Sequence, residues 1–142
     1  RQEERAIVDR MGQLEAPQAE GVVTPEDIIR AREVVDRVYV DGKIRDYVVD
    51  LILATRDPAA CGLPDLKPLI EYGCSPRGAI YLTRAARAHA FLRRRGYVTP
   101  DDVKAVGQDI LRHRVIVTYE AEAEEITSED VVQQVFDHIE VP

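Results

Sequence analysis

The chain has 142 residues, 45% of them hydrophobic and 32% charged, which suits one domain or two very small ones of ordinary globular material. Its net charge of −7 argues against a nucleic-acid surface, because phosphate binding depends on clustered basic charge. No apolar run approaches the roughly 20 residues needed to cross a bilayer.

Helix signals dominate from the start. Arg1-Gln2-Glu3-Glu4-Arg5 is a charged amphipathic opening rather than a signal peptide, and the absence of an initiator Met suggests a piece of a longer polypeptide or a processed one. Ile7, Met11 and Leu14 make a short helical stripe. Val23-Thr24-Pro25-Glu26-Asp27 then opens a second helix. The phrase returns at Val98-Thr99-Pro100-Asp101-Asp102 and at Ile126-Thr127-Ser128-Glu129-Asp130. In each, a hydroxyl side chain can cap free backbone N–H groups, and acids favour the positive end of the helix dipole. In the first two, Pro takes the first helical position, where its missing N–H costs nothing. Unequal spacing and divergent continuations make these helix starts rather than a functional repeat.

Ile28, Ala31, Val35 and Val38 share one face, and Ile44, Tyr47, Val48, Leu51, Ile52 and Thr55 form a strong stripe with Asp41 as its cap. Asp57 to Tyr72 reads as a long loop with Pro58, Gly62, Pro64 and Pro68. Its Leu63, Leu66, Leu69 and Ile70 suggest packing onto something, such as a surface outside this chain. From Pro76 to Arg95 the residues are small or apolar almost all round. So alanine-rich a helix belongs at the centre of a bundle, with Gly96 ending it and Arg93-Arg94-Arg95 as its solvated end. Val103, Val106 and Ile110 give another stripe, and Val131, Val132, Val135, Phe136 and Ile139 the last. Val38-Tyr39-Val40 and Val115-Ile116-Val117 are short extended scraps able to pair as a minimal sheet, and Glu120 to Glu125 reads as a wet linker. The fold expected is mostly α: a compact single-domain bundle of about five or six helices, with at most very short extended segments.

Cys61 and Cys74 are too few and too far apart for a disulfide framework. His89, His113 and His138 fall on separate segments without metal-ligand spacing, so no metal site is expected and a reducing, cytoplasmic setting is the natural reading. No catalytic constellation is present: no phosphate-binding loop ending in Gly-Lys-Ser/Thr, no nucleophile motif, no HExxH and no CxxC. No acid sits in an apolar run that would raise its pKa for acid–base work.

The informative segment is Gly73-Cys74-Ser75-Pro76-Arg77. Gly73 offers backbone freedom, Ser75 can cap, Pro76 starts the helix and Arg77 lands in its first turn. A cation there opposes the helix dipole unless an anion is shared between them, and helix N-termini and guanidinium groups both bind phosphate. The bland alternative is an exposed or carboxylate-paired arginine.

Gly73-Cys74-Ser75-Pro76-Arg77-Gly78-Ala79, continuing as Leu82-Thr83-Arg84-Ala85-Ala86-Arg87-Ala88, resembles the sensor-2 helix of MoxR-type AAA+ ATPases. The resemblance extends through Tyr97 to Lys104, Leu111-Arg112-His113-Arg114 and Tyr119-Glu120-Ala121, and upstream through Asp46-Tyr47-Val48-Val49 and Ala54-Thr55-Arg56. It implies the helical lid of such an ATPase, with an α/β nucleotide-binding domain preceding residue 1 and holding most of the contacts to ATP and Mg. Walker A and B motifs, sensor 1 and an arginine finger are absent from these residues, so the chain alone is not expected to be an enzyme. It further implies chaperone-like remodelling, hexamer-like rings and work beside von Willebrand A-domain proteins.

Carried over, Arg77 contacts the γ-phosphate and is the catalytic and ATP-binding candidate. Ser75, Pro76 and Ile80 are the further ATP-contacting candidates, although Ser75 and Gly73 suit shaping the turn, and Ile80 and Tyr81 suit core packing. Arg84 and Arg87, seven and ten residues past Arg77 near the same helical face, could pair with the catalytic domain, a neighbouring subunit or a carboxylate inside the lid. The rival reading is a helical protein-interaction adaptor with no nucleotide role.

Overall fold

Helix caps, apolar periodicity and a few close-approach glycines account for most of the architecture. The structure, a computed structural model, describes residues 1–12 and 20–142. They fall into two compact units, Arg1–Arg32 and Glu33–Pro142.

In the first unit, α1 (Gln2–Met11) buries none of its residues, and Ile7, Val8 and Met11 are exposed. Leu14, the last residue of the expected stripe, lies outside the described residues. Helix α2 (Pro25–Asp36) begins in this unit and ends in the next. Its start is the capping box the sequence suggests. The Thr24 N–H and hydroxyl donate to Asp27 Oδ2 at 2.9 Å each, and the Asp27 N–H donates back to Thr24 Oγ1 at 3.2 Å. The expected inward stripe of α2 is not realised: Ile28 is exposed, Ala31 and Val35 are half-buried, and only Val38, past the helix end, is buried.

The second unit holds α3 (Gly42–Arg56), a 3-10 helix (Pro64–Leu69), β1 (Ile70–Tyr72), α4 (Pro76–Leu92), α5 (Pro100–Leu111), β2 (Ile116–Val117), α6 (Tyr119–Ala123) and α7 (Ser128–His138). The chain is therefore mostly helical, with eight helices among the described residues, six of them ten residues or longer. Asp41 caps α3, accepting the Lys43 N–H at 2.9 Å, and all six residues of its expected stripe are buried. Helix α4 packs against both α3 and α5. It buries Gly78, Leu82, Ala86 and Ala90, a four-residue spacing of mainly small side chains that admits close neighbours. It is not apolar all round, however: Ile80, Tyr81 and Leu92 are exposed. Helix α7 lays Val131, Val132, Val135 and Phe136 into the same core.

Several local expectations are corrected. The two extended scraps do not pair with each other. Ile116–Val117 pairs antiparallel with β1, Ile70 opposite Val117 and Tyr72 opposite Ile116, while Tyr39 bridges to Tyr97. Strand pairing is decided by what tertiary packing brings alongside, which short propensity cannot report. The segment from Asp57 to Tyr72 is no loose loop, since it contains the 3-10 helix and β1. Leu66 is buried while Leu63, Leu69 and Ile70 pack on this chain's own core. The acidic linker is partly helix α6, fastened by buried Ala121 and by Thr118, whose hydroxyl donates to the Pro68 carbonyl at 2.9 Å. Helix α4 ends before Gly96. Arg94 takes the left-handed conformation (φ 58°) and the Arg95 N–H reaches the Ala90 carbonyl at 2.9 Å, which closes a Schellman motif without glycine.

Candidate functional site

The start of α4 is clamped onto the end of α3. Thr55, fully buried in the last turn of α3, donates its hydroxyl to the Ile52 carbonyl at 2.8 Å and accepts the Cys74 N–H at 3.0 Å. A Cβ on Gly73 would lie 2.2 Å from the Thr55 carbonyl oxygen. Glycine is thus demanded here by backbone approach rather than by the turn freedom the sequence suggested. A Cβ on Gly78 would lie 2.2 Å from Cys74 Sγ, so the first turn of α4 rests directly on the buried Cys74. Burial pushes the Cys74 thiol up, partly opposed by the Arg114 charge.

On this platform Ser75 occupies the N-cap position and Pro76 the first helical one. Ser75 makes no side-chain cap hydrogen bond, contrary to expectation; its carbonyl accepts the Gly78 N–H at 2.8 Å. Helices α3, α6 and α7 differ, because Asp41, Thr118 and Thr127 each accept a backbone N–H there. Arg77 is exposed and forms no ion pair among the described residues. A free guanidinium beside a helix N-terminus lacking a side-chain cap suits a phosphate, which both would attract.

Ile80 and Tyr81 are 53% and 45% exposed, so neither is the core residue expected. Tyr81 instead lies under the Arg114 guanidinium, 5.2 Å from ring centre to Cζ. Ile80 lines a groove of about 350 Å³ between α3 and α4, floored by Val48, Val49 and Ala79 and edged by Arg45, Arg84 and Arg87. A smaller hollow of about 180 Å³ joins Arg56, the last residue of α3, to Pro76 and Ala79. The structure therefore brings Pro76 and Ile80 to adjoining hollows on the α3–α4 face.

One cluster escaped the sequence reading. Asp102, fully buried, accepts from Arg95 at 2.5 and 2.6 Å, from the Thr99 N–H at 2.8 Å and from the Thr99 hydroxyl at 2.9 Å, with His89 Nδ1 at 2.7 Å. Arg95 is accordingly no solvated helix end. Burial alone would raise the Asp102 pKa, but the Arg95 guanidinium, the Thr99 N–H, His89 and the Thr99 hydroxyl outweigh it and hold the carboxyl well below the usual range. The cluster ties the end of α4 to the start of α5.

Fold and helix start together define a helical AAA-type lid. The sequence profile of the AAA lid domain family matches residues 65–135, and the chain belongs to that family. Within it the chain is of the MoxR type. It is 40% identical to Chaperone MoxR1 of Mycobacterium tuberculosis, over 99% of this chain and 37% of that protein. It is 46% identical to Protein MoxR of Paracoccus denitrificans over 53% of this chain and 23% of that one. The crystal structure of a protein from Cytophaga hutchinsonii, described as an ATPase, superposes with a TM-score of 0.95 at 34% identity, covering all of this chain and 43% of the other. The chain thus spans less than half the length of these relatives.

Proposed function

We propose that this lid senses the nucleotide held by an adjoining α/β domain, with Arg77 as the sensor-2 arginine. The observation that carries the reading is the rigidly mounted and exposed Arg77, without an ion pair among the described residues, at the start of α4, where Ser75 makes no side-chain cap. Placing a cation there costs about 0.3–1 kcal/mol against the helix dipole. A γ-phosphate shared between the guanidinium and the helix end offsets that cost. Pro76 presents the helix end, Ser75 leaves it open, and Ile80 offers an apolar surface one turn further on. ATP, with Mg held mainly by the other domain, supplies the charge that Arg77 answers.

Because α4 is clamped to α3 through Gly73, Cys74 and Thr55, movement at Arg77 is transmitted to the bundle as a rigid body. Engagement of Arg77 therefore favours a closed lid and its release an open one, which is a population shift driven by differential contact. In a chaperone-like machine that motion would reach neighbouring subunits. The test is Arg77→Ala in the full-length protein. ATP turnover is expected to fall about tenfold or more, corresponding to roughly 1.4 kcal/mol, with the lid's melting temperature unchanged. Unchanged turnover and unchanged ATP affinity would make Arg77 a surface residue.

A further inference from the structure

Arg77 and Tyr81 stand four residues apart on α4, so they are neighbours on one exposed face of the helix. Side chains of a helix lean toward its N-terminus, which places the Tyr81 ring over the turn that holds Arg77. What lies on that ring comes from beyond the end of α5: the half-buried Arg114, whose Cζ is 5.2 Å from the ring centre. The sequence reading offered no role for this arginine, and the clamp between α3 and α4 does not use it.

Arg114 is itself held in place. Its N–H donates to the Leu111 carbonyl at 2.8 Å, and its Nη1 donates to the Ile110 carbonyl and touches the His113 ring. Both carbonyls lie in the last turn of α5, where carbonyls have no partner within the helix. Val115, next along the chain, is buried in the core. The Arg114 charge is also felt at Cys74, just before α4 begins, where it opposes the upward push of burial on the thiol. Arg114 thus joins the end of α5 to the beginning of α4.

We propose that Arg114 is a positioning residue for Arg77, acting through the Tyr81 ring. Thr55 and Gly73 clamp the start of α4 from the α3 side; Arg114 braces its exposed face from the α5 side. An arginine stem at an exposed helix start loses rotamer freedom when its guanidinium engages a phosphate, and that loss weakens the contact. A ring fixed beside the stem removes part of the freedom beforehand. The inference rests on the sensor reading of Arg77, and in it Arg114 touches no nucleotide.

The test is steady-state ATP hydrolysis by the full-length protein. The samples are wild type, Arg77→Ala, Arg114→Ala, Tyr81→Leu, Tyr81→Phe, and Arg114→Ala and Tyr81→Leu each combined with Arg77→Ala. Arg114→Ala and Tyr81→Leu are each expected to lower kcat/KM about three- to tenfold, the span that a partly exposed cation–π contact can move. Tyr81→Phe keeps the ring and should recover most of what Tyr81→Leu loses. With Arg77 already replaced, neither change should slow hydrolysis further, because both act through Arg77. A residue that only stabilised the fold would slow both backgrounds by the same factor. Melting curves check the lid, and if Arg114→Ala unfolds it, the Tyr81 variants, made on an exposed face, decide the matter. Wild-type rates in Arg114→Ala and Tyr81→Leu, or equal losses with and without Arg77, overturn the inference while a slow Arg77→Ala keeps the sensor reading. Full turnover in Arg77→Ala removes the sensor reading itself, and the positioning role with it.

Discussion

At Asp102 a single carboxylate gathers five contacts from Arg95, His89 and Thr99 with no solvent exposure. Its pKa is depressed in the folded state, so the stability it contributes is present above the unfolded carboxyl value of about 4 and is lost as pH falls through the lower folded value. Asp27, Asp41 and Asp130, lowered chiefly by hydrogen bonds from Thr24, Lys43 and Thr127, act in the same direction. Urea midpoints are therefore expected to drop between about pH 5 and pH 2. Asp102→Asn should lose about 2–4 kcal/mol at pH 7 and show a shallower acid fall than wild type; parallel pH profiles would remove Asp102 from that role. The sequence made Asp102 legible only as the acid of a helix start. Its burial comes from the end of α4 folding over it, with Arg95 arriving from the unwound turn at Arg94.

Among the elements, α5 and α7 meet through a glycine. A Cβ at Gly107 would lie 2.1 Å from Phe136 Cζ, a distance the ring can relieve only by moving out of the core. Gly107→Ala gains about 1 kcal/mol of helix propensity and, with so close a contact, loses roughly 2–3 kcal/mol to overpacking, for a net loss of about 1–2 kcal/mol. Gly42→Ala is the control: nothing lies within 4 Å of the added methyl, so thermal melting should stay level or rise. If the two variants melt alike, the ring is not held against α5. The stripes of α3, α5 and α7 and the three Thr-led helix starts were readable, because periodicity and caps are local. Which helix would need a glycine for close approach was not, because that depends on the facing side chain.

For the molecule as a whole, every buried hydrophobic residue of the core cluster lies between Val38 and Phe136. Residues 33–142 are accordingly expected to unfold in a single cooperative transition when produced alone, with an unfolding free energy within about 1 kcal/mol of that of the longer chain. A broad or early transition would show that the first 32 residues carry part of the stability. No helix among the described residues is long and apolar enough to cross a membrane.

The helical class, the helix starts and the arginine at the head of α4 were all set by residues close in sequence: caps, apolar periods and the motif around Gly73 to Ala79 that matches MoxR-type lids. Only the tertiary structure decided that Gly73 and Gly78 exist for close approach to Thr55 and Cys74. It likewise decided that the proline-rich segment closes onto the chain's own core, that Ile80 faces a groove, and that Asp102 is a buried hub. The division has a physical cause. Capping and periodicity are satisfied within a few residues of the chain, whereas burial, strand pairing and charge partnership depend on which distant residues packing brings within reach.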